Sequence, residues 1–265
     1  VSSTAASKAA TIDNTGGTIT VSGGNGVDAQ GNTILSLTGG IINANGSSTN
    51  SVNAVNISNT AVATHTLTDL IINLVGNGLA INKTSNASVL LKHVTLNITD
   101  GIGFSDISNL SFASSDTGSN TINVGGTGTG ISTTNAEISG VNNDSMALLI
   151  NVLENGIGVQ TTGGGVDLTT HGLNIDVQNA SGTGLVVADG TTTNTTTIGS
   201  KVTLDGVAGS TAIRFNGTQA KTLNNSGDIN GNVVFDNNAD NIINNSNTLN
   251  GTLTTGSGND TLTLA

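Results

Sequence analysis

Six basic and 17 acidic residues stand along the 265-residue chain, giving a formal net charge of −11, so groups able to move protons are scarce. The only arginine is Arg214, in Ala212-Ile213-Arg214-Phe215. Proton abstraction from a sugar acid needs such a basic group beside acidic side chains. Alternation instead turns Arg214 outward next to an inward Ile213, as a solvated surface residue. Hydrolysis of a glycosidic bond needs two carboxyl groups at a controlled separation. The acids here are dispersed one or two per repeat, with Glu137 and Glu154 the only glutamates, and Asp236 and Asp240 fit Asn-rich turns. The histidines, His65, His93 and His171, are too widely spaced for a metal site, and stacked surface positions are expected for them. No cysteine and no Ser/His/Asp arrangement with nucleophile context is present. No catalytic residue, metal ligand or cofactor is assigned, and the chain is read as a non-enzyme.

What recurs is a polar, glycine-rich corner followed by an aliphatic residue. It appears as Gly24-Asn25-Gly26-Val27, Gly76-Asn77-Gly78-Leu79, Gly128-Thr129-Gly130-Ile131 and Gly182-Thr183-Gly184-Leu185, with Ala in the glycine slot at Asn53-Ala54-Val55 and Thr211-Ala212-Ile213. The aliphatic residues at 27, 55, 79, 102, 131, 157, 185 and 213 are 23 to 29 residues apart, the period of a solenoid. Alternating runs sit between the corners: Leu70, Ile72 and Leu74; Val94, Leu96 and Ile98; Leu148, Ile150 and Val152; Leu173, Ile175 and Val177. Period-two spacing puts each trio on one face of a strand. About three short strands per repeat cannot bury their own apolar face, so successive coils must share one interior. The expected fold is all-β: a parallel β-helix of roughly ten coils of about 23–29 residues, with the eight corner aliphatics in one interior column.

Composition agrees. Zero proline suits a chain whose backbone N–H groups donate to the next coil, and 37 glycines supply the corners. With 2% aromatic residues, the thin interior is expected to be aliphatic, while Asn, Ser and Thr stack in ladders between coils. One domain is expected over residues 1–265, with longer coils over 1–222 and shorter, Asn/Gly-rich coils over 223–265. Long corners are expected at Gly46 to Ser51, Ser114 to Ser119, Asn142 to Ser145 and Thr191 to Thr197. The acidic balance excludes nucleic acid as a partner. No apolar run reaches the ~18 residues of a membrane span.

The unit Asn225-Ser226-Gly227-Asp228-Ile229-Asn230-Gly231-Asn232-Val233, its relative over 245–253, and the closing Gly256-Ser257-Gly258-Asn259-Asp260-Thr261-Leu262-Thr263-Leu264 resemble passenger domains of Gram-negative autotransporters. The resemblance implies a right-handed β-helix on the cell surface, anchored in the outer membrane or secreted, with a membrane barrel outside this stretch. It points to the self-associating and adhesive branch, the serine-protease type having no counterpart here. The closing unit also resembles the calcium-binding nonapeptide of RTX proteins, but one copy supplies half a site. Pectin-degrading enzymes share the fold class, and Thr170-His171-Gly172 is similar to their His-Gly, without the accompanying acids and basic motif. The expected function is adhesion by self-association and biofilm formation, the partner being the same protein on neighbouring cells. A host matrix protein or glycan is the alternative partner. Contact is expected at exposed corners: Asp116, Asn142, Asn143 and Asp144, and Thr193, Asn194 and Thr195.

Overall fold

A computed structural model describes residues 2–59, 64–83, 87–105, 110–113, 119–134, 148–168, 172–190 and 194–265. Among the described residues no helix occurs and every strand pairing is parallel. The chain coils as a β-solenoid.

Its walls are three. A 10-stranded sheet, here the ladder sheet, runs from Thr18–Val21 through Ile41–Asn45, Ile71–Val75, Thr95–Thr99, Asn120–Gly125 and Leu148–Val152 to Leu249–Asn250. A 14-stranded sheet takes up the next wall of each coil. A 5-stranded tail sheet, from Asp167–Leu168 to Thr261–Leu264, forms the third wall in the C-terminal part. Earlier in the chain that third wall is joined to the second because the strand Gly24–Thr38 runs through both, pairing with Val52–Asn59 and then Thr64–Thr68.

The alternating trios behave as expected. Ile72, Leu96, Ile122, Ile150, Ile175, Leu204 and Ile229 are consecutive register partners on the ladder sheet, and each is at most 1% exposed. Burying such side chains is worth ~1.5–3 kcal/mol each.

Four expectations need correction. Five of the eight corner aliphatics, Val27, Val55, Ile131, Leu185 and Ile213, share the interior column of the 14-stranded sheet, but between Val27 and Ile213 its other members are Ile81, Phe104 and Val159. Leu79, Ile102 and Ile157 lie two residues earlier, in the outward column of Asn53, Thr129 and Thr183. The invariant feature is the small residue between the columns: Gly26, Ala54, Ala80, Gly103, Gly130, Gly158, Gly184 and Ala212. A Cβ at Gly130 would lie 2.6 Å from the Gly158 carbonyl oxygen and 3.2 Å from Val124, so the coil passes too close to its neighbour for a large side chain.

The coil number also differs. About seven turns of 23 to 28 residues separate Gly26 from Ala212, not ten. Dividing the whole length by one period counts Ser2–Asp13 toward a coil, although it is a single strand laid on Gln30–Thr38. The last coils are 20 residues long, Asn225 pairing with Asn245.

The interior is not purely aliphatic. All four phenylalanines are buried: Phe104 and Phe112 meet edge to face at 6.0 Å, and Phe215 and Phe235 stack at 4.4 Å in successive coils. Finally, the threonine tract is not all corner, since Thr195–Ile198 is a strand of the tail sheet.

Candidate interaction surface and buried ionic cluster

Parallel pairing in register sets like residues above one another, and the outward face of the ladder sheet uses this throughout. Asn73 Nδ2 donates to Asn43 Oδ1 at 2.8 Å, Asn97 to Asn73 at 2.7 Å, Asn123 to Asn97 at 2.8 Å and Asn151 to Asn123 at 2.8 Å. The three central amides, those of Asn73, Asn97 and Asn123, each accept from one neighbour and donate to the other. The column then changes to Asp176 and Asp205, and Asn230 Nδ2 closes it on Asp205 at 2.7 Å. A shorter ladder on the 14-stranded sheet joins Asp28, Asn56 and Asn82 by 2.7 Å bonds.

Aliphatic and threonine columns flank the Asn ladder. One holds Ile41, Ile71, Thr95, Thr121 and Leu149, and the other holds Asn45, Val75 and Thr99. Ile71 is 40% exposed and Val75 49%, and Leu153, three coils further on, is 42% exposed. Not one charged residue falls in the six strands from Thr18–Val21 to Leu148–Val152. Acids enter this sheet only from Asp176 onward.

Beside these six strands, charges stand at the corners that flank them. Gly39, Asp69 and His93 occupy successive corners before the ladder sheet with left-handed φ of 72°, 51° and 54°, and Asp69 meets His93 Nδ1 at 2.8 Å. On the far side Asp100 (φ 63°) accepts the backbone N–H and the hydroxyl of Thr127, which hold its carboxyl below the usual carboxylate range. Glu154 Oε2 accepts the N–H of Gly126. These acids tie one coil to the next.

Histidine placement departs from the surface expectation. In Thr64-His65-Thr66-Leu67, His65 has the parity of Leu67, so it points inward between Leu35 and Val89 and is fully buried. Its Nδ1 accepts the Leu35 N–H at 3.1 Å, and burial lowers its pKa. His171 lies outside the described residues. Arg214 points outward as expected, with Nη1 3.2 Å from Asp236 Oδ2. Asp240 accepts the Asn259 N–H at 2.7 Å, an inter-coil tie. In the closing nonapeptide, burial works to raise the Asp260 pKa but is outweighed by the backbone and side-chain N–H groups of Asn241 and by Thr255, so the carboxyl stays low. Among the described residues no group of three or more His, Asp or Glu side chains is placed to hold a metal ion.

Of the expected contact residues, Asp116, Asn142, Asn143, Asp144 and Thr193 lie outside the described residues. Thr195 is exposed at the start of its strand. Asn194 is half-buried and belongs to a cluster that sequence reasoning missed. Its Oδ1 accepts the Gly190 N–H and the Lys221 ammonium, both at 3.0 Å. Lys221 Nζ also reaches Asp189 Oδ1 at 2.7 Å and the Ala188 carbonyl at 3.0 Å, with no side-chain exposure. Burial works to raise the Asp189 pKa but is overcome by Lys221 and by the N–H groups of Thr218 and Gln219, which hold it well below the carboxylate range. Parity was the available signal: Lys221 precedes Thr222-Leu223 with the same phase as the buried Leu223.

Comparison with protein-family models, with curated proteins and with solved structures gave no match.

Proposed function

We propose that this chain is the surface-exposed part of a bacterial adhesin that holds cells together by self-association. The observation that carries the reading is the uncharged outward face of the ladder sheet over its first six strands, on a molecule of net charge −11. Like-charged rods repel, so contact is least opposed where neither copy presents charge. There the Asn ladder and its Ile, Val and Thr borders offer hydrogen bonds and apolar area together. Six strands ~4.8 Å apart and five residues wide cover roughly 400 Å² per copy. Some 800 Å² in total is below the ~1,200 Å² of stable complexes, so single pairs are weak and cohesion comes from many copies on one cell. An outer-membrane anchor in a Gram-negative cell and a corner contact at the exposed Thr195 belong to the same reading, supported by the resemblance of residues 225–264 to autotransporter passengers.

Mixing displaying and non-displaying cells tests it. Clusters containing displaying cells alone are the expected result. Capture only on matrix-coated surfaces turns the reading to host adhesion, and turnover of a polysaccharide overturns it.

A further inference from the structure

A buried lysine beside one carboxylate is an ion pair. Lys221 has a third member in the same contact, the carboxamide of Asn194, whose Oδ1 lies 3.0 Å from Nζ, so an amine, an acyl group and a carboxylate meet at one half-buried corner. The carboxamide is held from both sides: its Oδ1 accepts the Gly190 N–H at 3.0 Å, and its Nδ2 donates to Gln219 Oε1. Asp189 is fixed in turn by the N–H of Thr218 at 2.7 Å and of Gln219 at 3.2 Å.

We propose that Lys221 Nζ and Asn194 Cγ become joined by an amide bond, formed by the folded chain itself, with Asp189 as the proton carrier. The Asp189 carboxylate takes a proton from the ammonium, exposing the Nζ lone pair. This transfer runs uphill, because Thr218, Gln219 and Lys221 favour the Asp189 carboxylate; only the burial of Nζ favours the neutral amine, and addition proceeds from that minor state. Nζ adds to Cγ, and the charge developing on Oδ1 falls on the Gly190 N–H already aimed at it. Asp189 passes the proton to Nδ2, and the Cγ–Nδ2 bond breaks. The second Nζ proton follows through the same carboxylate, so ammonium leaves and Asp189 ends ionised. One amide replaces another, and neither oxidant nor reductant is required.

The position gives the bond a use. Asn194 and Lys221 immediately precede the paired strands Thr195–Ile198 and Thr222–Asn225, and the Thr222 N–H donates to the Asn194 carbonyl at 3.0 Å. The link staples neighbouring coils just before the turns shorten, in a chain with no cysteine for a disulfide.

Intact-mass measurement with peptide mapping of the folded, purified chain tests the proposal. The expected result is a mass lower by one ammonia and a branched peptide joining the segments around 194 and 221. Lys221→Arg and Asn194→Ala should each restore the full mass. Asp189→Asn should also restore it while the protein, checked by circular dichroism, stays folded. Full mass in the unaltered chain with separate 194 and 221 peptides overturns the proposal. Loss of water with a Lys221–Asp189 link overturns the assignment to Asn194. Ammonia loss that survives Lys221→Arg marks succinimide formation at an Asn-Gly pair such as Asn77-Gly78 and overturns it equally.

Discussion

His65 fills a core position between Leu35 and Val89 as a neutral ring, and its folded pKa lies below that of the unfolded chain. A depressed value means that the unfolded state binds the proton first, so this contribution to stability is complete above about pH 6.5 and is lost as pH falls through the folded value. Asp189 has the same sign in a lower window: its contribution is present above about pH 3.9 and disappears as acid protonates the carboxylate facing Lys221. Urea midpoints should therefore fall in two stages on acidification, and His65→Gln should flatten the upper stage alone. Glycine positions make a second residue-scale prediction. A Cβ at Gly103 would come within 2.3 Å of the Gly130 carbonyl oxygen, against 2.7 Å between Gly184 and Ala212. Gly103→Ala should lower the melting temperature more than Gly184→Ala, and equal effects would show that the coils can spread.

At the scale of strands, the Asn ladder sets the cost of interruption. Asn97 donates to Asn73 and accepts from Asn123, so Asn97→Ala removes two hydrogen bonds, about 1–3 kcal/mol in all. Ile150 belongs to the interior column, fully buried, and Ile150→Asp would place a carboxylate there at a cost of several kcal/mol. Because coils touch only their neighbours, hydrogen exchange should accelerate first around residues 148–152. Unchanged protection there would contradict the inward placement. The alternating trios and their shared face were legible because strand parity is a local property. The corner column was misread at Leu79, Ile102 and Ile157 because an outward aliphatic stood two residues before the inward Ile81, Phe104 and Val159. Tracking Gly26, Ala54, Ala80 and Gly103 would have fixed the phase. His65 and Lys221 follow the inward parity of Leu67 and Leu223, against the surface position that a polar side chain alone suggests. The meeting of Lys221 with Asn194, 27 positions apart, depends on register and corner length, which no local pattern carries.

For the whole molecule, the separation of an uncharged ladder face from acidic corners predicts how association responds to conditions. Ile71→Glu with Val75→Glu puts two charges on that face without touching the core, since both side chains are exposed. Aggregation of displaying cells should be lost while the melting temperature holds. Raising salt should assist the unaltered protein by screening its net charge over ~8–10 Å. Aggregation unaffected by the two glutamates would move the contact away from this sheet.

Parallel pairing without a proline also determines how such a rod yields to force. Hydrogen bonds between coils point along the long axis, so tension on the C-terminal end loads one turn at a time and strips it while the rest stays whole. Each short turn should release on the order of 70 Å of chain and each long one on the order of 95 Å. A cell held by this molecule would feel a series of small yields in place of one break, and single-molecule extension curves should show that sawtooth. With Lys221 joined to Asn194, the tooth spanning those residues should be missing.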